Sequence, residues 1–222
     1  MHETEGRALP VGLDREHSRR NFLKTATWAT AAISAAGIGG FGVAARYADA
    51  QSTAPYTTYF GLGDAAILQF AYLLEQLEGT FYAIGADAGI FDDFALAQIA
   101  ELRDHEFAHA AAIETTLGTL GAEVPAVPEF TYPNGVFADP VAFLQLANTF
   151  EPVGIGAYQG AAPAIVSREI LAAALSIHAA ECSHWNSIKI LNGVSPPNNV
   201  ALEEALPLGA VQAAVAPFGI TG

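Results

Sequence analysis

Between residues 64 and 193 the apolar positions recur every three or four residues, in four blocks separated by glycine- and proline-rich breaks. The first block, Ile67, Phe70, Ala71, Leu74, Leu77, Phe81 and Ile84, predicts an amphipathic helix from about Asp64, read as its N-cap, to about Gly85. After a break at Ala88-Gly89, a second helix is expected from Asp92 or Asp93 to a stop at Gly118 or Gly121. The third starts at Asp139-Pro140, with proline in the first turn, and extends to about Ala162, where Pro163 ends it. Pro152, Gly154 and Gly156 lie inside it, at a propensity cost of about 3 kcal/mol for a proline and about 1 for each glycine, so a kink is expected just after Glu151. The fourth runs from near Ser167, with Glu169 in its first turn, to the Asn192-Gly193 stop. The fold class is all-α.

The connections set the topology. Residues 121–140 contain Pro125, Pro128, Pro133, Asn134-Gly135 and Pro140, too long and too broken a stretch for a tight helical hairpin. The prediction is a four-helix bundle over 64–193 with one long crossover between the second and third helices, rather than short loops throughout. Residues 51–63 read as an N-terminal extension. The tail, 194–222, opens with Ser195-Pro196-Pro197 and is expected to pack outside the bundle with one short helix around Leu202 to Ala214.

Residues 1–50 have a different character. Ser18-Arg19-Arg20-Asn21-Phe22-Leu23-Lys24 precedes a weakly hydrophobic run from Ala26 to Ala45, and Ala48-Asp49-Ala50 forms an A-x-A cleavage pattern before Gln51. In that order these are the parts of a twin-arginine export signal, carried by Arg19 and Arg20 and read by the twin-arginine machinery. The expected destination is periplasmic or extracellular. The alternative is an uncleaved membrane anchor, since Thr25 to Ala45 is just long enough to span a bilayer, although its alanine and glycine content suits that poorly.

Composition sharpens this division. The chain has 222 residues, 52% of them hydrophobic, enough for one full core plus extensions. Six of the nine basic residues fall within the first 46 positions, and from residue 51 onward 18 Asp and Glu face 3 Lys and Arg, a formal net charge of −15. That balance disfavours nucleic acid and anionic lipid as partners and favours cations. Cys182 is the lone cysteine, so no intramolecular disulfide and no Cys-x-x-Cys redox pair can form.

The candidate chemistry lies in two copies of Glu-x-x-His, Glu106 to His109 and Glu181 to His184. Residues three apart on a helix are about 60° apart around the axis, so each pair can address one metal ion. Glu75 precedes the first pair by 31 residues and Glu151 precedes the second by 30, each on the partner helix of its hairpin. A faint repeat supports the match, because Tyr82 and Tyr158 each lie seven residues after those glutamates, and it favours Glu75 over Glu78 as a ligand. Two lone glutamates and two Glu-x-x-His pairs on four helices form the donor set of di-iron and di-manganese bundles. Four carboxylates balance two divalent ions and offer hard oxygen donors suited to iron or manganese. Glu106 and Glu181 can bridge, with Glu75 and His109 completing one site and Glu151 and His184 the other. Glu78, Tyr82, His105, Tyr158 and His178 are candidates for the surrounding hydrogen-bonding layer. Glu101, Glu114, Glu123 and Glu129 read as solvated charges, and Cys182 as a small buried hydrophobe. A rival reading takes His105-Glu106-x-x-His109 as the H-E-x-x-H of a zinc metalloprotease, which leaves the second Glu-x-x-His unexplained.

At Glu75, Glu106-x-x-His109, Glu151 and Glu181-x-x-His184 the sequence resembles the ferritin-like superfamily over roughly residues 60–193. The runs Leu74-Glu-Gln-Leu-Glu-Gly-Thr-Phe-Tyr82 and Ala157-Tyr-Gln-Gly-Ala-Ala-Pro163 are similar to the exported, desiccation-related ferritin-like group. The resemblance implies a four-helix bundle holding two iron or manganese ions at the six residues above. It also implies an oxidoreductase acting on dioxygen or hydrogen peroxide in stress protection. The alternative is a non-catalytic metal-binding or stress-protective protein that keeps the site for stability. The superfamily includes storage cages, so a homo-oligomer is a further expectation. Pro152, directly after Glu151, departs from the pattern and bears on the geometry of the second site.

Overall fold

The structure, a computed structural model, describes residues 58, 59 and 61–220. The expected export signal and its anchor alternative lie outside them. Among the described residues no helix is long and apolar enough to cross a membrane.

Among the described residues there are five α-helices and no strand. Helices α1 (Asp64–Asp87) and α2 (Asp93–Leu120) form one hairpin, and α3 (Pro140–Ala161) and α4 (Arg168–Leu191) form the other. The hairpins meet through α1 on α3 and α2 on α4. A short α5 (Leu208–Val215) lies against α3.

Helix ends fall where local chemistry stops or starts them. Asp92, Asp139 and Ser167 cap α2, α3 and α4, each side chain accepting a backbone N–H of the first turn. Gly121 closes α2 in the left-handed region at φ 66°. Asp64 differs from expectation. Gly63 occupies the cap position of α1, and Asp64, the first helical residue, accepts the backbone N–H groups of Val166 and Ser167, both at 2.8 Å. Its carboxylate therefore pins the start of α1 to the start of α4.

Of the apolar stripe on α1, Ile67, Ala71, Leu74, Leu77 and Phe81 are buried, whereas Ile84 is exposed. Phe81 is the hub of an aromatic cluster, stacked on Phe143 at 4.2 Å and edge-on to Phe150 at 5.1 Å. Tyr132 and Phe137 bring the crossover into this cluster.

Helix α3 runs unbroken through Pro152. The glycines after it make close approaches rather than acting as breaks. A Cβ on Gly160 would lie 2.2 Å from the Leu206 carbonyl oxygen, and one on Gly156 would lie 2.5 Å from the Leu206 side chain. The Leu206 N–H donates to the Gly156 carbonyl at 2.9 Å, fastening the tail to α3. This extended segment displaces the expected tail helix, which begins only after Pro207.

Candidate metal centre

Each helix of the bundle sends its carboxylates to one level. Glu75 and Glu78 come from α1, Glu106 and His109 from α2, Glu151 from α3, and Glu181 and His184 from α4. Glu106 and Glu151 are fully buried, Glu75, Glu78, Glu181 and His184 nearly so, and His109 is 14% exposed.

The contacts divide into two overlapping groups. His109 Nδ1 lies 3.1 Å from Glu75 Oε2, 3.4 Å from Glu106 Oε2 and 3.1 Å from Glu181 Oε1. His184 Nδ1 lies 2.9 Å from Glu106 Oε1, 3.7 Å from Glu181 Oε2 and 4.0 Å from Glu151 Oε2. Glu106 and Glu181 thus each turn one oxygen toward either histidine. In both groups the donor atoms lie within 4.8 Å of one another.

His109 Nδ1 is hydrogen-bonded to Glu75 Oε2, but most of these atoms are close without being paired. Both oxygens of Glu106, Glu151 Oε2, Glu181 Oε1 and His184 Nδ1 are buried with no hydrogen-bond partner. His184 Nδ1 and Glu106 Oε1, 2.9 Å apart yet without a hydrogen bond, are spaced as two donors to one ion would be. Donors about 2.0–2.2 Å from one ion, set at right angles, lie about 3 Å apart, and the shortest contact in each group, 3.1 Å and 2.9 Å, matches that spacing. The residues present therefore fit metal ions.

A second layer orients these donors. Tyr158 Oη donates to Glu75 Oε1, and Tyr82 Oη donates to Glu151 Oε1, leaving the other oxygen of each carboxylate toward the cluster. His184 Nε2 lies 3.0 Å from His105 Nδ1, whose Nε2 lies 3.2 Å from Glu101 Oε1 at the surface. With Nδ1 of His184 turned inward, its Nε2–H donates to His105 Nδ1, and the other nitrogen of His105 faces Glu101. Glu101 is exposed, as expected of a solvated charge, and lies beside His105.

Glu78 occupies a niche beside the cluster. Its Oε1 would lie 3.1 Å from a Cβ on Gly154, so the missing side chain there makes the room. Its Oε2 has no partner, and it belongs to neither donor group. His178 stays apart, its Nδ1 4.0 Å from the half-buried Cys182. Trp185 also turns away, donating to Asn148, with the Lys189 ammonium 3.3 Å above its ring.

Electrostatics follow from this crowding without metal. Burial, reinforced by Glu181, raises Glu75, while burial with Glu151 raises Glu78, and burial with Glu181 raises Glu151. Burial would raise Glu106 too, but the His109 and His184 imidazoles outweigh it and hold that carboxyl at about 2. Burial alone would lower both histidines. Against it, the surrounding carboxylates, Glu106 foremost, lift His109 to about 12 and His184 to about 11. The metal-free cluster is thus partly self-neutralised by imidazolium, where four mutually repelling carboxylates alone would have had to protonate.

The protease geometry does not form. His105 and His109 have ring centroids 6.5 Å apart, and both nitrogens of His105 are engaged with His184 and Glu101.

Two helical hairpins enclosing a buried carboxylate–histidine cluster define a class of helical bundle whose interior can bind metal ions. The chain belongs to the ferritin-like domain family, whose family model matches residues 63–193. No curated protein matches the chain. The narrower likeness to exported, desiccation-related proteins rests on the two sequence runs alone.

Proposed function

We propose that this chain is a dinuclear iron or manganese protein, an oxidoreductase acting on dioxygen or hydrogen peroxide in stress protection. The observation that supports it most is the sharing of Glu106 and Glu181 between two donor groups, each completed by one further glutamate and one histidine. Glu75 and His109 would hold one ion, Glu151 and His184 the other. Four carboxylates balance the charge of two divalent ions.

When bound, such a pair supplies one electron from each ion, enough with two protons to take dioxygen to hydrogen peroxide or hydrogen peroxide to two waters. The chain's own contribution is to orient and to exclude water. Tyr82 and Tyr158 fix the terminal carboxylates, the aromatic cluster around Phe81 closes the hairpin interface, and His105 fixes the His184 ring.

Anaerobic loading with ferrous or manganous ion, followed by rapid mixing with each oxidant, tests the reading. A metal-dependent rate of oxidation or peroxide loss supports it, and a loaded but inert protein contradicts it. The burial of four carboxylates at one site also suits a second reading, a redox-silent metal site kept for stability. That reading predicts inert metal and a large loss of Tm on chelation.

Export through the twin-arginine machinery is a further part of the proposal, supported by the order of Arg19-Arg20, apolar run and A-x-A site in residues 1–50. Replacing Arg19 and Arg20 with lysine in the full chain should retain it in the cytoplasm, and unchanged export would exclude that route.

A further inference from the structure

A partly open apolar pocket lies between α1, α3, α4 and the start of α5. Its walls include Leu68, Ala71 and Leu74 of α1, Ala157 and Tyr158 of α3, and Ala174 of α4. Almost all of its surface is hydrocarbon. Tyr59, at its side, adds a hydroxyl that is buried without a partner, and burial pushes that group up to about 12, so it brings no charge.

The pocket shares a wall with the candidate metal centre. The ring of Tyr158 lines it, while the hydroxyl of the same ring donates to Glu75. Leu74, the residue before Glu75, lines it as well. Its volume is about 40 Å³. One water needs roughly 10–15 Å³ on this measure, and an apolar cavity that takes benzene has about 150 Å³. A molecule of two or three atoms fits, and a ring does not.

From this placement we infer that the pocket seats dioxygen on its way to the Glu75 side of the centre. The inference rests on the oxidoreductase reading above and narrows its oxidant. Dioxygen has no hydrogen bonds to water to give up, so a hydrocarbon pocket takes it without a desolvation cost. Hydrogen peroxide would have to shed its hydrogen bonds on entering such walls, at a cost of about 1–3 kcal/mol for each group left unpaired. The pocket therefore discriminates between the two oxidants before either reaches metal. Peroxide, if used, comes by the polar side, past the partly exposed His109.

The test uses the full chain loaded with ferrous ion, with Ala174→Leu to fill the pocket from α4 and Leu208→Phe to fill it from the tail. Neither residue belongs to the donor cluster or to its hydrogen-bonding layer. The second-order rate constant with dioxygen should fall at least five-fold in each variant that keeps its helical circular dichroism. Metal content and the rate with hydrogen peroxide should stay unchanged. Xenon, an apolar probe of similar size, should bind the wild-type pocket under pressure with or without metal and be excluded from both variants. An unchanged dioxygen rate in both folded variants, or equal slowing of both oxidants, overturns the inference, and so does failure of xenon to enter the wild-type pocket. Seated xenon in a loaded wild type that reacts with neither oxidant would instead overturn the oxidoreductase reading.

Discussion

Tyr158 on α3 donates its hydroxyl proton to Glu75 on α1, on the opposite hairpin. Tyr82 on α1 returns the arrangement by donating to Glu151 on α3. Each tyrosine lies seven residues after the glutamate of its own helix and holds the glutamate of the other. Seven residues are two helical turns, so glutamate and tyrosine share a face, and packing α1 on α3 lets them exchange partners.

This exchange sets the first prediction. Tyr158→Phe and Tyr82→Phe each leave a buried carboxylate oxygen without its donor. Either change should weaken metal binding by about 10–100-fold while leaving the fold intact, by analogy with other outer-layer partners of metal ligands. Competition against a chelator of known affinity measures it, and equal affinities in wild type and both variants would remove the tyrosines from the account.

Glycine substitutions should have opposite signs at different sites. Gly160→Ala places a methyl 2.2 Å from the Leu206 carbonyl oxygen, and Gly85→Ala places one 2.1 Å from the buried Phe143 ring. Each should cost about 1–3 kcal/mol, and the first should also loosen the tail. Gly118→Ala, in α2 with nothing within 4 Å of the added carbon, should gain about 0.5–1 kcal/mol. Denaturant midpoints rank the three, and a stabilised Gly160→Ala would refute the tail contact.

Acidity should act differently on the metal-free and loaded protein. Glu75, Glu78 and Glu151 are raised above their ordinary 4.5, and His109 and His184 above 6.5, so the folded metal-free protein keeps protons the unfolded chain has released. Its stability therefore falls as pH rises from about 5 toward 9. Glu106, held at about 2, works in the opposite sense, with its contribution present above 4.5 and lost toward pH 2. Metal displaces the extra protons, so binding strengthens with pH and the gap in Tm between loaded and metal-free protein widens. Thermal melts with and without chelator at pH 5 and 8 read both effects. A metal-free Tm that rises across this range contradicts the assignment.

The helix ends legible in the sequence are those fixed by local chemistry. Asp92, Asp139, Ser167 and Gly121 each satisfy groups within a few residues of themselves. Asp64 was not legible as a clasp, because its partners, Val166 and Ser167, are a hundred residues away. The same division holds at the centre. The spacing of Glu75, Glu106, His109, Glu151, Glu181 and His184 was readable, since each obeys helical periodicity. The Glu78 niche depends on an absent side chain at Gly154, and propensity registers that glycine only as a cost. Glu101 reads as a surface charge until α4 brings His184 against His105. Pro152 registers in the sequence as a propensity cost, and packing carries α3 on through it.

The most direct test of the central claim is metal analysis of the folded full chain, beside a Glu106→Ala, Glu181→Ala double variant. The account predicts about two iron or manganese ions per chain in the wild type and none in the variant, because both donor groups share those two residues. One zinc per chain, or the same metal content in both proteins, would contradict it.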